Sequence, residues 1–336
     1  MFRGGMNMKI TVPDYYLKFK CIADRCTDSC CIGWEIDIDD ESRAKYAALD
    51  SEIGAEIREK TQHGVFPLQK NGRCAFLDER GLCRIISAHG DGYLCDICRE
   101  HPRYYGVGAE GLEGGLGLAC PEAARIILSV DERPKFVTTD ATPRYDSEDD
   151  YADVSRELRE LVYETVYSRD VMEARALFPA LAEHADEVVF DATAGLDTEA
   201  KSIATIADTN ITKEYLDELI DLFLEREALN EEWSERLTLS RSIKPSALTQ
   251  MIEERASEYR ALLFYFTHRY LRECVEDMSA MGRVMLARYA ADVIFLLSGT
   301  YESSEGLVKS AVLFSKNIEY STENIDMLID ALMDEI

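Results

Sequence analysis

Apolar residues recur at helical spacing through the second half of the chain. One stripe contains Leu158, Leu161, Val162 and Val166, and another contains Leu216, Leu219, Ile220 and Leu224. Similar patterns cover residues 247–281, 283–297, 305–316 and 322–335. Because residues three and four apart share one face of an α-helix, this spacing predicts amphipathic helices that pack on a common core.

The first part of the chain is less regular. Residues 34–39 alternate apolar and polar side chains, which predicts a short half-buried strand. Either Asp39 or Asp40 then caps a predicted helix that runs through Lys60, and Pro121 begins another that ends near Val130. The stretch between these helices is rich in turn residues and includes a glycine-rich loop over residues 106–117.

These patterns predict a mainly α protein with two parts. We expect residues 8–136 to form an irregular, cysteine-rich, metal-binding domain with short strands. We expect residues 149–336 to form an acidic α-helical domain. Residues 137–150, which include Pro143 and then turn acidic, are interpreted as a linker.

Negative charge is concentrated in the helical part. The 336-residue chain carries 37 Lys/Arg against 64 Asp/Glu, a net charge of −27, and residues 131–336 hold 21 and 44 of these, a net of −23. Because such a field repels phosphate backbones, we expect no nucleic-acid binding, whereas a basic, lysine-bearing protein would be attracted. No apolar run approaches the ~18 residues needed to span a bilayer, so we expect no membrane association.

Nine of the ten cysteines lie in the first 120 residues, and only Cys274 falls elsewhere. The N-terminal residues lack the pattern of a signal peptide, so we expect a cytoplasmic protein with reduced thiols rather than disulfides. Thiolates at short spacings suit zinc or an iron–sulfur cluster. Cys95 and Cys98 have a spacing at which two thiolates converge on one ion, whereas adjacent Cys30 and Cys31 can both be ligands only in an irregular loop.

Several specific metal sites do not match these spacings. The chain lacks the Cys-x3-Cys-x2-Cys run of radical-type S-adenosylmethionine enzymes and the runs of ferredoxins. Its five histidines are too scattered for a Cys2His2 finger, although His101, three residues after Cys98, is a candidate ligand or a structural histidine. The choice between zinc and iron–sulfur, and between one centre and two, stays open.

Several motifs resemble the flagellin lysine-N-methylase family. The run Phe19-Lys-Cys21-Ile-Ala-Asp-Arg-Cys26-Thr-Asp-Ser-Cys30-Cys31-Ile-Gly-Trp34 is similar to its opening signature. Further matches follow in order: Gly72-Arg-Cys74-Ala-Phe-Leu77, Gly81-Leu-Cys83-Arg-Ile85, Cys98-Arg-Glu-His-Pro102-Arg103 and Leu118-Ala-Cys120-Pro121. Residues 314–324 resemble a weaker closing motif, with Lys316 and Tyr320 where the family has an arginine and a histidine.

The resemblance implies methyl transfer from S-adenosylmethionine to lysine ε-amines of flagellin or a similar protein, with a [4Fe–4S] cluster in the enzyme. The cysteines expected to bind metal are Cys26, Cys30, Cys31, Cys74, Cys83, Cys98 and Cys120. Cys21 also falls on the family pattern, whereas Cys95 has no counterpart in it. Proteins with related cysteine patterns chelate zinc or iron, so Zn²⁺ is the alternative metal.

A lysine methyltransferase must hold an ammonium group and help it to lose a proton. Acidic or tyrosine-rich surfaces serve both purposes. Tyr15, Tyr16 and Tyr104 flank the cysteine motifs and are candidate catalytic residues, with aromatic packing around a metal core as the alternative interpretation.

Candidate residues for cofactor binding lie close to the same motifs. Arg99 and Arg103 could pair with a ligand carboxylate or offset the charge of a cluster, or they could bind the nearby Asp96 or Glu100. Gly115 lies in the sole glycine-rich loop, where a ligand could approach the backbone closely.

Two functions other than methylation remain compatible with the sequence. The first is a non-enzymatic zinc- or iron–sulfur-binding module that makes protein contacts through its acidic helices. The second is a redox or electron-transfer protein, because iron–sulfur centres also serve that purpose.

Overall fold

The computed structural model describes residues 8–109, 111–141, 152–196, 203 and 209–333. Helices predominate, as the sequence predicted. The helices are α1 (Asp40–Ala48), α2 (Glu52–Lys60), α3 (Arg84–His89), α4 (Asp96–Glu100), α5 (Pro121–Leu128), α6 (Ala152–Ser168), α7 (Val171–Ala176), α8 (Phe178–Thr193), α9 (Lys213–Leu224), α10 (Glu231–Ser240), α11 (Pro245–Glu254), α12 (Ala256–Tyr270), α13 (Ala280–Ser298), α14 (Gly306–Phe314) and α15 (Thr322–Met333). A π-helical turn, Ser315–Glu319, follows α14 directly.

In the described ranges, six short strands accompany the helices: β1 (Met8–Pro13), β2 (Ile36–Asp37), β3 (Val65–Phe66), β4 (Arg103–Gly108), β5 (Gly111–Leu116) and β6 (Phe136–Ala141). Four of them form a sheet in the order β4-β5-β1-β6, in which β1 is parallel to β5 and antiparallel to β6. Strands β2 and β3 form a separate antiparallel pair. The strand predicted over residues 34–39 is therefore only two residues long.

Most of the glycine-rich segment lies in two paired strands and not in a loop. Strands β4 and β5 pair from Arg103 opposite Leu116 to Gly108 opposite Gly111. A side chain at position 106 would collide with the guanidinium group of Arg272. The glycine there lets a long polar side chain lie flat on the sheet, which the sequence pattern did not reveal.

Residues 137–141, predicted to begin a linker, belong to strand β6. This strand pairs with β1 along its whole length and alternates exposed and half-buried residues, as a sheet edge does. Few apolar residues are needed at such an edge, so the sequence gives little strand signal there. The rest of the predicted linker, 142–150, lies outside the described residues, and the division into two domains stays a prediction.

Two helices predicted as continuous are interrupted. Asp39 caps α1 through the backbone N–H of Ser42, and Ser51 starts a second helix by accepting a hydrogen bond from Gly54. The helix predicted over 247–281 is likewise divided at Arg255 into α11 and α12. Polar capping residues inside an apolar pattern explain the first interruption.

The main core lies around α13, which is buried along most of its length and packs against α8, α12, α14 and α15. Side chains of the sheet, such as Ile10 and Leu116, join the same core. Although α13 has nineteen residues, no helix within the described ranges is both long and apolar enough to cross a membrane.

A smaller core lies within residues 36–95 and belongs to the cysteine-rich part. Its nine buried members are Ile36, Ile38, Tyr46, Ile53, Ile57, Phe66, Phe76, Ile85 and Cys95. The surrounding elements are short, since β2 and β3 have two residues each and α4 has five.

Asp292 places a carboxylate at the centre of α13 with no exposed surface. Arg175 donates to it in a forked arrangement with a shortest distance of 2.7 Å, and the hydroxyls of Tyr215 and Tyr259 each donate at 2.6 Å. Burial opposes ionisation, but the Arg175 guanidinium holds the pKa of Asp292 below its ordinary value. The carboxylate thus connects α13 to three other helices by hydrogen bonds.

We expect Asp292→Asn to lower the free energy of unfolding by about 3–5 kcal/mol, because it leaves the Arg175 charge buried without a counter-ion. Urea denaturation followed by circular dichroism measures this. The control is Asp217→Asn, which removes the exposed partner of Lys213 and should cost at most about 1 kcal/mol. Equal shifts for the two variants would contradict a buried charge network.

His268 links α12 to the sheet and is fully buried. Its Nε2 lies 3.1 Å from the carbonyl oxygen of Gly114, and its Nδ1 lies 3.4 Å from Nη1 of Arg159, which pairs with Glu113. Burial, followed by the charge of Arg159, lowers the pKa of His268 to about 3. The folded protein therefore keeps this imidazole neutral.

This neutrality predicts acid sensitivity. Below about pH 6.5 the histidine is protonated in the unfolded chain but stays neutral in the folded protein. The free energy of unfolding therefore decreases by up to ~1.4 kcal/mol for each unit by which the pH is lowered, until about pH 3. The variant His268→Gln keeps a donor for Gly114 but cannot be protonated, so its unfolding free energy should depend less steeply on pH between 6.5 and 4. Parallel pH profiles for wild type and variant would rule out the histidine as a source of this dependence.

Candidate functional site

Three cysteines occupy the position immediately before a helix. Cys83 precedes α3, Cys95 precedes α4 and Cys120 precedes α5. In each case a backbone N–H of the following turn donates a hydrogen bond to the sulfur. Burial outweighs these donors at Cys83 and Cys120 and raises the pKa of both thiols, whereas the hydrogen bond from Cys98 lowers the pKa of Cys95.

Four thiols lie against the smaller core, and we call Cys74, Cys83, Cys95 and Cys98 the small-core thiols. Cys95 is fully buried there, and the other three pack against the same apolar residues. The side chains of Cys95 and Cys98 are hydrogen-bonded to each other. The backbone N–H of Cys74 donates to the carbonyl of Cys31 at 2.8 Å, which brings the first cysteine motif alongside.

A second group lies at the start of α5, and we call Cys21, Cys26, Cys30 and Cys120 the α5 thiols. Cys120 interacts electrostatically with Cys21 and Cys26, and Cys30 interacts with Cys21 and Cys120. The side chains of Cys30 and Cys31 are hydrogen-bonded, so the adjacent pair joins the two groups. The spacing of the cysteines in the sequence could not identify these partners, because the contacts join residues that are distant along the chain.

The thiols suit a metal in their chemistry. All are free, burial raises the pKa of Cys74 to about 11, and burial also raises the pKa of Cys120. In both cases neighbouring thiols add to the rise, and a bound cation would relieve that repulsion. Within the described residues, no three His, Cys, Asp or Glu side chains are already arranged as a site for one ion. The seven cysteines predicted as ligands stay a prediction.

Residues 314–324, which we call the closing segment, pack onto the first cysteine motif. Lys316 donates to both carboxylate oxygens of Asp28 at 2.7 Å, although the two residues are 288 positions apart. The ring of Tyr320 stacks on Trp34, with centroids 4.9 Å apart and planes 11° from parallel. The Lys316 ammonium lies 5.4 Å from the centre of the Trp34 ring.

Tyr320 also connects the closing segment to the motif Cys98–Arg103. Its hydroxyl lies 3.1 Å from Nδ1 of His101, and its ring is close enough to interact electrostatically with Cys30 and Cys120. Burial, followed by the charge of Lys316, lowers the pKa of His101 to about 4. The imidazole is therefore neutral near pH 7, and its Nε2 has no hydrogen-bond partner among the described residues.

Beside Tyr320, the carboxylate of Glu319 is buried among aromatic hydroxyls. Its Oε1 accepts hydrogen bonds from Tyr265 at 2.8 Å and Tyr270 at 3.0 Å, and Arg269 lies 3.3 Å away. Within the described part of the chain, Oε2 has no hydrogen-bond partner. The guanidinium of Arg269 lies 4.7 Å from the centre of the Tyr104 ring, which connects this cluster to strand β4.

Of the predicted catalytic tyrosines, Tyr104 lies in this cluster and Tyr15 is its buried neighbour. Burial raises the pKa of Tyr104 to about 12 and that of Tyr15 well above its ordinary value. Tyr16 lies apart from the cluster, with its hydroxyl 3.3 Å from that of Tyr105. Both hydroxyls at positions 15 and 104 lack hydrogen-bond partners among the described residues.

The two arginines predicted to bind a cofactor contact side chains that lie near them in the protein. Arg99 pairs with Asp96 at 2.5 Å and with Glu100 at 3.0 Å, which matches the alternative interpretation of its role. Arg103 lies over the rings of Tyr16 and Phe19.

Gly115 makes room for a neighbouring ring. A side chain at this position would collide with the Tyr104 hydroxyl. Its space is therefore filled by the protein itself, on strand β5 of the hairpin.

Sequence reasoning gave no role to Tyr265, Arg269 or Tyr270. These residues lie on α12, where Tyr265 and Arg269 are four positions apart and so share one face. The sequence feature that could have identified them is the presence of polar residues at helical spacing within an otherwise apolar helix. Their partner Glu319, in the closing segment, lies too far along the chain to be identified by pattern.

The stack of Trp34 on Tyr320 can be tested by a double-mutant cycle. With Trp34→Leu, Tyr320→Leu and the double variant, we expect a coupling energy of about 0.5–1.5 kcal/mol in urea unfolding. Tyr301 lies over Arg236 instead, so Trp34→Leu with Tyr301→Leu should be additive. No coupling between Trp34 and Tyr320 would mean that the closing segment does not dock as described.

Comparison with known proteins gives three relatives named for flagellar or lysine-methylating proteins. The chain is 32% identical over 133 residues to the flagellar biosynthetic protein FliU of Salmonella muenchen, a match that covers 36% of this chain and 77% of that protein. It is also 32% identical over 133 residues to the lysine-N-methylases of Salmonella typhimurium and Salmonella choleraesuis.

The match covers about a third of the length of each lysine-N-methylase, 32% in both cases. No protein-family model and no solved structure matches the chain. Since FliU is matched over most of its length, the family can be assigned. The chain belongs to the flagellin lysine-N-methylase family.

Proposed function

We propose that this chain is an S-adenosylmethionine-dependent protein-lysine N-methyltransferase that acts on flagellin or a similar protein and holds a [4Fe–4S] cluster. The observation that carries the proposal is the docking of the closing segment on the cysteine motif. Lys316 and Tyr320 meet Asp28 and Trp34, so the two stretches that resemble the family are in direct contact. The relatives named lysine-N-methylase support the same reaction.

The surface formed by this contact suits a cationic group. The stacked Trp34 and Tyr320 rings offer aromatic faces, and Asp28 offers a carboxylate, a combination that attracts ammonium ions. At present the chain's own Lys316 ammonium occupies the position beside Trp34 and Asp28. Tyr320 is 48% exposed, so an external side chain can reach the pair.

When bound, S-adenosylmethionine supplies a methyl group on a positively charged sulfur. An acceptor amine must lose its proton before its lone pair can attack that methyl group, with S-adenosylhomocysteine as the leaving group. His101, whose Nδ1 lies 3.1 Å from the Tyr320 hydroxyl, is neutral near pH 7 and places a ring nitrogen at this surface. Glu319, held by Tyr265 and Tyr270, adds a negative charge next to Tyr320.

The α5 thiols are the cysteines that would hold the cluster. Two of them, Cys30 and Cys120, interact electrostatically with Tyr320 of the closing segment. A [4Fe–4S] cluster takes four thiolates, and this group has four. The acidic character of the chain, with a net charge of −27, favours a basic, lysine-bearing substrate surface.

We expect the iron-loaded protein, purified without oxygen, to transfer labelled methyl groups from S-adenosylmethionine to flagellin. The variant Trp34→Leu should lower kcat/KM about tenfold, because losing a cation–π contact of ~1–2 kcal/mol weakens binding of the acceptor. Peptide mass spectrometry identifies the methylated lysines.

The matched control is Tyr301→Leu, which changes an aromatic residue that packs on Arg236 and should leave the rate unchanged. Iron content must be equal in all three proteins for the comparison to hold. Fully loaded wild-type protein that methylates neither flagellin nor any other lysine-rich protein would refute the proposed function.

A further inference from the structure

We propose that the face of strands β4 and β5 that is turned toward α6 and α12 binds a carboxylate group, which Arg272 and Tyr104 hold. The ligand we assign is the carboxylate of S-adenosylmethionine. Only this choice of ligand rests on the proposed function, because buried donors without partners point to a carboxylate whatever molecule carries it.

Glycines form most of this face of the two strands. Side chains alternate along a strand, so the residues paired across the ladder at every second position share the face. These pairs are Gly108 with Gly111, Gly106 with Glu113, and Tyr104 with Gly115. A side chain at position 106 would collide with the Arg272 guanidinium, and one at position 115 with the Tyr104 hydroxyl. The glycines therefore make room for polar groups close to the backbone.

Arg272 is a buried cation whose guanidinium is largely unsatisfied. The residue is 5% exposed, and among the described residues neither its Nε nor its Nη1 has a hydrogen-bond partner. Its Nη2 lies 3.5 Å from a carboxylate oxygen of Glu273, the outer limit of a hydrogen bond, and Glu273 is exposed. Because burial removes water from the N–H groups of the guanidinium, this arrangement is costly unless an anion binds there.

The buried carboxylates near Arg272 are paired with other guanidinium groups. Both oxygens of Glu113 accept hydrogen bonds from Arg159, at 2.6 and 3.2 Å. The carboxylate of Glu319 lies 3.3 Å from Arg269. Within the described part of the chain, three guanidinium groups thus share two buried carboxylates, and the excess positive charge is that of Arg272.

Two further donors on this face also lack partners within the described ranges. They are the hydroxyl of Tyr104 and Nε of Arg159, and both atoms are buried. The Tyr104 hydroxyl is close enough to Arg272 and Arg159 to interact with them electrostatically. The site therefore combines several hydrogen-bond donors with one uncompensated positive charge.

A carboxylate complements this combination. It accepts several hydrogen bonds and carries a single negative charge, which matches the excess. Buried water would satisfy the donors but leave the charge of Arg272 uncompensated. A phosphate group would bring up to two negative charges near pH 7, more than this face requires.

The site adjoins the closing segment. Arg269 lies 4.7 Å from the centre of the Tyr104 ring and pairs with Glu319, which directly precedes Tyr320. In S-adenosylmethionine the carboxylate and the sulfonium belong to the same methionine part. A carboxylate held by Arg272 and Tyr104 would thus help to position the reacting sulfur near the surface proposed for the acceptor lysine.

The experiment compares the binding of S-adenosylhomocysteine and of its decarboxylated analogue to the full chain, purified without oxygen, by calorimetry. Wild-type protein should bind S-adenosylhomocysteine about 10–100-fold more tightly, as hydrogen bonds between charged groups predict. Arg272→Met should bind both ligands alike. Tyr104→Phe, which loses one donor, should bind S-adenosylhomocysteine about three- to tenfold more weakly than wild type.

The matched control is Arg236→Met, which removes a guanidinium that donates to the carbonyl oxygen of Thr300 at 2.8 Å. This variant should keep the wild-type preference between the two ligands. Thermal unfolding without ligand adds a readout that a structural role would not give. Arg272→Met should raise the Tm, because it removes an uncompensated buried charge, whereas Arg236→Met should lower it.

Equal binding of the two ligands by wild-type protein would overturn the proposal. This comparison requires no variant, so it decides even if Arg272→Met does not fold. Free methionine is the second probe. Binding of methionine alone, lost in Arg272→Met, would support the carboxylate site with a ligand other than the cofactor. Wild-type protein that binds neither S-adenosylhomocysteine nor methionine would overturn the site.

The two proposals fail in different ways. Methyl transfer by a chain that binds S-adenosylhomocysteine and the analogue equally would refute the carboxylate site alone. Binding of S-adenosylhomocysteine that depends on Arg272, without methyl transfer to any lysine-rich protein, would refute the proposed function alone.

Discussion

The buried carboxylate of Asp292 constrains the helical part of the protein. A charge without exposed surface is tolerated only when its partners surround it, and here they come from three different helices. Arg175 on α7, Tyr215 on α9 and Tyr259 on α12 must all reach one residue of α13. Apolar packing would allow these helices to slide or rotate, whereas the hydrogen bonds at 2.6–2.7 Å allow one arrangement.

This constraint reaches the candidate site through α12. The helix that contains Tyr259 also contains Tyr265 and Arg269. These two residues bind Glu319, which directly precedes Tyr320 in the closing segment. The π-helical turn then directs Lys316 toward Asp28, and Tyr320 toward Trp34. Two buried acidic residues, Asp292 and Glu319, thus align the C-terminal helices with the cysteine motifs.

The cysteine-rich part follows a different principle. Its apolar core is small and its elements are short. Cys95 is one of the buried residues of that core, and Cys74, Cys83 and Cys98 pack against it. Four of the thiols lie against the smaller core, and two at the start of α5, Cys30 and Cys120, interact with Tyr320 of the closing segment. The adjacent residues Cys30 and Cys31 lie where the two groups of thiols meet.

The sequence by itself determined the features that depend on near neighbours. Helix α13, the cap at Asp39 and the concentration of cysteines in the first part of the chain all follow from local spacing and composition. Strand β6 and the docking of Lys316 on Asp28 were decided only by the tertiary structure. A strand pairing or an ion pair between distant residues depends on chain geometry that no local pattern encodes, so the thiols were recognised in the sequence but their grouping was not.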